Sequence, residues 1–465
     1  MTDLTGDGAP GAASTTPPVH LDDSALRPKV AGLMPEVLAE LEALVAIPSC
    51  AFPGFPSEPV HAAAQRVVDA FGRYGVEARV TPVDGGYPAV TADIPAPPGR
   101  PTVLLYAHYD VQPVPASQQW ATDPWQPTWV DGRLHGRGAA DDKGGVAIHL
   151  ATLAAFDGKP PVGVRLVVEG EEETVSHLEA HVEAHPADFQ ADVMVVADMG
   201  NLVVGEPVLS VGLRGHVKAV IEVETLAAPV HSGLFGGAAP DALMALVRAL
   251  ATLVDDDGAC AVEGVASGEW EGADYTEEML RSNAGVLDGV DLVGTGRIAS
   301  RLWARPTVSV LGMDVTSTAE ASNVLQPRAK AVVAMRIPPG QDPQDAMDAL
   351  IAHLKAHVPG NARVTVTEDK KSPPFSQPTD GRAFGLMREA LATSYGRPVE
   401  TVGSGGSIPL LDTLRSVAPQ ADFVLVGPQD AQHAAIHGPD ESVDPSEIEH
   451  MALAQALLLQ ALAQG

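Results

Sequence analysis

Acidic and imidazole residues sit where short apolar runs end. The run 102–107 (TVLLYA) leads into His108, Tyr109 and Asp110, and the run 164–168 (VRLVV) into Glu169-Gly170-Glu171-Glu172-Glu173. The run 192–197 (DVMVVA) leads into Asp198. In an open α/β sheet, ligands bind outside the carboxyl ends of the strands, so these segments would deliver His and carboxylates to one rim. Carboxylates gathered there repel, and each raises the cost of ionising its neighbours. A bound cation removes that cost. The donors are oxygen and nitrogen with no thiolate, a set that suits Zn, Mn or Co.

His108 and Asp110 are two apart, so in extended backbone their side chains face the same way. One can bind metal while the other orients it, because a metal-bound His usually donates its second N–H to a carboxylate or carbonyl. The segment GRGAADDKG (136–144) is more specific. Gly136 and Gly138 permit a tight turn. Asp141 and Asp142 stand at a helix entry, where a carboxylate can cap the helix; one can cap while the other bridges metals. The run Glu171-Glu172-Glu173 could be a solvated face, but it follows straight after a buried strand.

The elements that must position these groups follow from periodicity. Helices are predicted over 29–46, 60–74 and 144–156, alternating with the apolar strands above. Such alternation predicts an α/β fold with a mostly parallel sheet. Near residue 210 the texture changes. Residues 216–225 (HVKAVIEVET) alternate apolar and polar, as a half-exposed strand does. A helix over 241–253, strands at 307–311 and 329–337, a helix over 344–357 and a strand at 362–367 complete an α+β block. Helices over 382–394 and 446–462 and a strand at 422–426 then restore the α/β character. The expected organisation is a tail over 1–25, one discontinuous domain over 26–210 and 370–465, and an inserted domain over 211–369.

Composition excludes other classes. The chain has 465 residues and a formal net charge of −31, which opposes binding to nucleic acid or anionic membrane. Cys50 and Cys260 form no metal-ligand pair and are expected to be reduced. No stretch reaches the ~20 apolar residues of a membrane span. The first residues lack a basic start and an apolar core, so no signal peptide is expected, and a cytoplasmic protein is.

Seven blocks carry a resemblance: YAHYDVQPV (106–114), GRGAADDKGG (136–145), EGEEE (169–173), VADMGN (196–201), PVHSGLFGG (229–237), GSGGSIP (403–409) and IHGPDE (436–441). In this order they resemble the zinc metallopeptidase family of the cytosolic non-specific dipeptidases and carnosinases. That family also holds glutamate carboxypeptidase, acetylornithine deacetylase and succinyl-diaminopimelate desuccinylase. The blocks look closest to the dipeptidase branch. The resemblance implies a catalytic domain with an inserted, ferredoxin-like α+β domain that acts as lid and dimerisation unit. It implies two divalent ions, Zn²⁺ foremost, with Mn²⁺ or Co²⁺ as alternatives. His108, Asp141 and Asp198 look like the ligands of one ion. Asp141, Glu173 and His437 look like those of the other, with Asp141 bridging. Glu172 resembles the general base and Asp110 the carboxylate behind His108. A one-residue slip along the Glu run would reassign the roles of Glu172 and Glu173. His231 resembles a donor to the developing oxyanion and Asn323 a substrate contact, both supplied by the partner subunit of a homodimer. Arg336 and Ser407 resemble the groups that hold the substrate's carboxylate.

Some positions depart from the family pattern. Asp440 stands where Asn is usual, Ser404 where Glu often precedes the glycine loop, and His135 where an aromatic is common. His177, His181 and His185 lie four apart and match no family site; a solvated helix face is expected. The expected activity is hydrolysis of the peptide bond of dipeptides or short peptides with a free C-terminal carboxylate. An N-acyl-amino-acid deacylase and a non-catalytic metal-binding homologue are the alternatives.

Overall fold

In a computed structural model of the chain, the described residues are 21–406, 408 and 410–464. Most of the predicted tail therefore lies outside them. A large mixed sheet has four parallel strands at its centre, in the order Gly163–Glu169, Thr102–His108, Val193–Val196 and Asp422–Leu425. Antiparallel strands Ala89–Ile94 and Arg79–Thr81 extend one side. On the other side Val208–Leu213 runs antiparallel to Asp422–Leu425 and pairs in turn with Glu400–Ser404 and Phe375–Ser376. The expected α/β class with a parallel centre is what the fold shows.

The central strands are apolar throughout because both faces are covered. Val103, Leu105 and Ala107 enter one core, beneath helices Leu26–Val45, Lys143–Ala154, Arg382–Tyr395 and Pro445–Leu462. The alternate residues Leu104 and Tyr106 enter the opposite core, beneath Leu178–Ala184 and Leu410–Val417. Every residue of Lys143–Ala154 is buried, so this helix, whose cap carries Asp142, is held rigidly against the sheet.

A second, four-stranded antiparallel sheet has the order Thr307–Asp314, Arg328–Ile337, Gly215–Glu224, Arg363–Ser372. With helices Ala242–Ala251 and Pro343–His357 the chain order is β-α-β-β-α-β, the split-βαβ or ferredoxin-like arrangement. Along Gly215–Glu224, Val217, Ala219, Ile221 and Val223 join the core with the helices, while the intervening residues face away.

Strands Val208–Leu213 and Glu400–Ser404 were not among the sequence expectations. Ser and Gly interrupt their apolar pattern, and pairing rather than propensity makes them strands. Residues 252–306, which carry no periodic signal, hold a short helix Glu277–Ala284 and a π-helical turn Ser300–Ala304. Among the described residues no helix is long and apolar enough to cross a membrane.

Candidate metal centre

The three strand ends converge as the sequence predicts. His108 closes its strand with no exposed surface, and its Nε2 lies 3.1 Å from Asp141 Oδ1 and 3.9 Å from Asp198 Oδ1. The other oxygen of Asp141, Oδ2, lies 3.0 Å from His437 Nε2, which is itself 3.1 Å from Glu173 Oε1. Asp141 thus divides its two oxygens between two groups, His108–Asp141–Asp198 and Asp141–Glu173–His437, each with donor atoms within 4.8 Å of one another. Tetrahedral Zn²⁺ with bonds near 2.0–2.1 Å sets its ligand atoms about 3.3 Å apart. The donor types, the spacing and the shared carboxylate fit a pair of divalent ions. Asp141 and Asp198 are buried, and burial opposes their ionisation. Desolvation first, and then the charges of Asp141 and Asp142, push the Asp198 carboxyl well above its ordinary range. Burial pushes the His437 imidazole down, but hydrogen bonds to Asp141 and Glu173 outweigh it and raise it to about 10. Cations at these two positions would replace the protons that the cluster otherwise recruits.

Backbone donors hold the cluster in place. The Asp110 main-chain carbonyl lies 3.1 Å from His108 Nδ1 and its carboxylate 3.4 Å, and the carboxylate accepts the N–H groups of Glu172 and Glu173 at 3.0 and 3.1 Å. One buried carboxylate therefore aligns an imidazole and the Glu run together. Asp142 caps its helix through Gly145 N–H at 3.2 Å and also accepts His108 N–H at 3.1 Å. The two expected functions of the Asp pair are divided: Asp142 caps, and Asp141 faces both histidines. Glu171 turns away, toward Tyr87 N–H and His177 Nδ1, the latter at 2.8 Å. Hence His177 is hydrogen-bonded to Glu171 rather than simply solvated. The His181 and His185 rings lie against each other, tilted by 31° with centroids 4.4 Å apart. Burial raises the Glu172 carboxyl well above its ordinary range; His108 opposes this, and Asp198 and Glu173 add to it.

Three supporting residues were not singled out in the sequence. Glu441, fully buried, accepts the N–H groups of Gly138, Ala140 and Asp141 on one oxygen at 3.0–3.1 Å and pairs with Arg137 at 2.5 Å on the other. It fixes the turn that carries Asp141. Gly138 stands there at φ +84°, and a Cβ would lie 2.5 Å from Val111 Cγ1. Gln429 donates to Asp198 Oδ1 at 3.0 Å, and Gln112 to Glu173 Oε2 at 2.8 Å. The block IHGPDE contained the signal for Glu441. Gln112 lay within a motif, whereas Gln429 had no local signal.

The remaining expected site residues lie elsewhere. Arg336, half-buried on the second sheet, stands opposite His216 and Thr307. Beside it is Arg214, 8% exposed, which donates to Thr307 Oγ1 at 3.1 Å while its buried Nε has no partner. Burial, with Arg336 nearby, lowers Arg214 to about 10. Neither arginine has an acidic partner among the described residues. His231 ends the short strand Val230–His231 and Asn323 immediately precedes its partner strand Val324–Leu325, and both residues are exposed. Among the described residues neither bonds to the His–carboxylate cluster. Ser407 lies outside the described residues, as does Pro409. Asp440, in place of Asn, accepts Ala121 N–H at 2.7 Å and makes no bond to His437. Ser404 accepts Gly406 N–H at 3.1 Å, closing its own loop. His135 sits in a strand paired with Ser442–Val443.

Replacing Glu441 by Ala would leave three buried N–H groups unpaired and Arg137 without its carboxylate partner. We expect Glu441→Ala to weaken metal binding by about 10–100-fold, as loss of groups that orient ligands does. Competition with a chelator, followed by metal analysis of the folded variant, measures this; unchanged affinity would show that the turn holds without it.

Residues 104–463 match the peptidase family M20/M25/M40. A cysteinylglycine-S-conjugate dipeptidase of Corynebacterium striatum is 41% identical over 367 residues, covering 77% of this chain and 80% of that protein. The Beta-Ala-His dipeptidase of Homo sapiens is 26% identical over 379 residues, covering 77% and 74%. The crystal structure of human carnosine dipeptidase 1 superposes with a TM-score of 0.79 at 24% identity, covering 97% of this chain and all of that one. The dipeptidase Dug1p of Saccharomyces cerevisiae superposes equally well at 21% identity, covering 96% and 99%. With its family match running from the central strand Thr102–His108 to the last helix and taking in both halves of the cluster, the chain belongs to peptidase family M20/M25/M40.

Proposed function

We propose that the chain is a metal-dependent dipeptidase, acting on dipeptides or short peptides with a free C-terminal carboxylate. The observation that carries this is the division of Asp141's oxygens between two His–carboxylate groups. The names of the relatives, dipeptidases throughout the most similar ones, support the substrate class. His108, Asp141 and Asp198 would hold one divalent ion, and Asp141, Glu173 and His437 the other. Zn²⁺ matches the nitrogen and oxygen donors best, and Mn²⁺ or Co²⁺ are also accommodated. When bound, such a pair lowers the pKa of a shared water and polarises a carbonyl. Glu172 takes the proton of the attacking water and returns it to the leaving amine. Asp110 keeps His108 oriented and fixes the backbone of Glu172. Arg336 and Arg214, both lacking an acidic partner, offer the cations for the substrate's carboxylate. Ser407 is assigned to the same task by motif alone.

We also infer a homodimer. The strand Thr307–Asp314 is an unpaired edge of its sheet, and Val310, Leu311 and Met313 on it are 44%, 61% and 37% exposed. Helix Ala242–Ala251 adds exposed Met244 and Val247. A long apolar edge left open invites pairing with a second copy. In that arrangement residues 211–369 serve as lid and dimerisation unit, and His231 and Asn323 of one subunit complete the centre of the other. Both cysteines are free thiols, which suits a cytoplasmic enzyme.

Glu172→Gln should lower kcat by about 10²–10⁴-fold, the usual contribution of a positioned acid–base group. Its metal content should be unchanged. Full chelation should abolish dipeptide hydrolysis, and added Zn²⁺, Mn²⁺ or Co²⁺ should restore it; activity that survives chelation would sink the reading.

Arg336→Ala should lower kcat/KM on a dipeptide by about 10–100-fold, the worth of hydrogen bonds to a charged group. On the same dipeptide with a C-terminal amide it should have little effect. Equal losses on both substrates would remove Arg336 from carboxylate binding.

The double variant Val310→Glu/Leu311→Glu should sediment as a monomer and lose most of its activity while keeping its metal. A fully active monomer would rule out completion of the site across subunits.

A further inference from the structure

The connection between helix Ala242–Ala251 and strand Thr307–Asp314 spans residues 252–306, where helix–strand connections usually take roughly 2–6 residues. It does not stay within its own sheet. Trp303 packs edge-on against Trp270, with centroids 5.1 Å apart, and joins Val208 and Val402 of the large sheet in a separate apolar cluster. Together these segments wall a cavity of about 330 Å³. Met199, Leu202, Tyr275, Trp303, Val402 and Ile436 supply its apolar surface.

This cavity adjoins the metal centre. Met199 follows Asp198 directly, and Ile436 precedes His437. Gln429, also on the wall, donates to Asp198 Oδ1 at 3.0 Å. Gly403, Ser404 and Gly405 close another side, where a Cβ on Gly405 would lie 3.1 Å from Arg214 Nη2. Several of the polar side chains that border the cavity are already engaged. Asn201 donates to Glu447 at 2.5 Å and accepts Val208 N–H at 2.9 Å. Asp430 pairs with Arg133 at 2.6 Å, and Ser404 accepts Gly406 N–H. Beside Asn283 and Ser210, what they leave for a ligand is the apolar and aromatic surface of Met199, Leu202, Tyr275, Trp303, Val402 and Ile436, of the kind that lines specificity pockets.

We propose that this cavity receives an apolar side chain of the substrate, and that segment 252–306 sets which side chains are accepted. The proposal rests on the dipeptidase reading. The pocket borders the metal centre through Met199, Gln429 and Ile436 and borders Arg214 through Gly405, so a substrate held at both would have a side chain within reach of it.

The test compares kcat/KM on two series, Ala-Gly, Leu-Gly, Phe-Gly and Gly-Ala, Gly-Leu, Gly-Phe. Asn283 lines the cavity from the exposed helix Glu277–Ala284, so Asn283→Trp narrows the space with little demand on the core. It should lower kcat/KM for the Leu and Phe members of one series by about tenfold or more and leave the Ala members within about twofold. Tyr275→Ala, which removes part of the wall, should raise KM for those same bulky substrates. The series that responds identifies the residue whose side chain is bound. A loss of equal size on all substrates, or none on any, overturns the pocket while the dipeptidase reading stands. A wild-type protein that hydrolyses none of the six overturns the dipeptidase reading itself.

Discussion

Repulsion between carboxylates crowded at the carboxyl ends of a buried sheet is the constraint on which the rest of this structure depends. Asp110, Asp141, Asp142 and Asp198 are all buried, with Glu172 and Glu173 against them. The scaffold sorts them. Asp110 and Asp142 are satisfied by backbone N–H groups, and Glu441 gathers three more N–H groups beneath the turn. The carboxylates left facing the two histidines are those of Asp141, Asp198 and Glu173. Hydrogen bonds to backbone make a buried charge tolerable, whereas a charge with only like neighbours is not. The sheet, the rigid helix Lys143–Ala154 and the Glu441-held turn are thus parts of one electrostatic arrangement.

One end of the second sheet's open face is basic, whereas Glu222 and Glu224 lie on the same face toward its other end. On the face away from its helices stand His216, Arg336, Lys218 and Lys370, with Arg214 at the entry from the large sheet. Positive charge is scarce in this chain, with 29 basic residues against 60 acidic ones, so two neighbouring arginines without an acidic partner stand out. Burial holds His216 down to about 4, with Arg336 adding to the effect, so the imidazole contributes no competing charge.

Much of this was legible in the sequence because the central strands are covered on both faces. Complete burial makes each of them a continuous apolar run, and an acid after such a run stands out. The five clustered donors all lay in quotable motifs. What could not be read has physical causes. Glu441 meets Asp141 across 300 positions of chain, and Arg214 acquires its meaning only beside Arg336. Strands Val208–Leu213 and Glu400–Ser404 owe their form to each other's hydrogen bonds rather than to their own composition. Segment 252–306 shows no period because it packs against two different sheets in turn. The organisation of the Glu run depended on register, and a one-residue difference separates Glu171, bound to His177, from the residues bound to Asp110.

The two halves of the cluster differ in access to water. His108 has no exposed surface, whereas half of the His437 side chain is exposed, and the backbone there adopts φ +61° on a loop tethered by Gln118. On the proposed reading, the two ions are then unequal in lability. The position completed by His437 exchanges with solution first, and the position sealed behind His108 retains its ion longest. A preparation dialysed against weak chelator would pass through a form with one ion per chain, still folded around the sealed site. On that reading, metal stoichiometry in this protein would record its handling as much as its sequence.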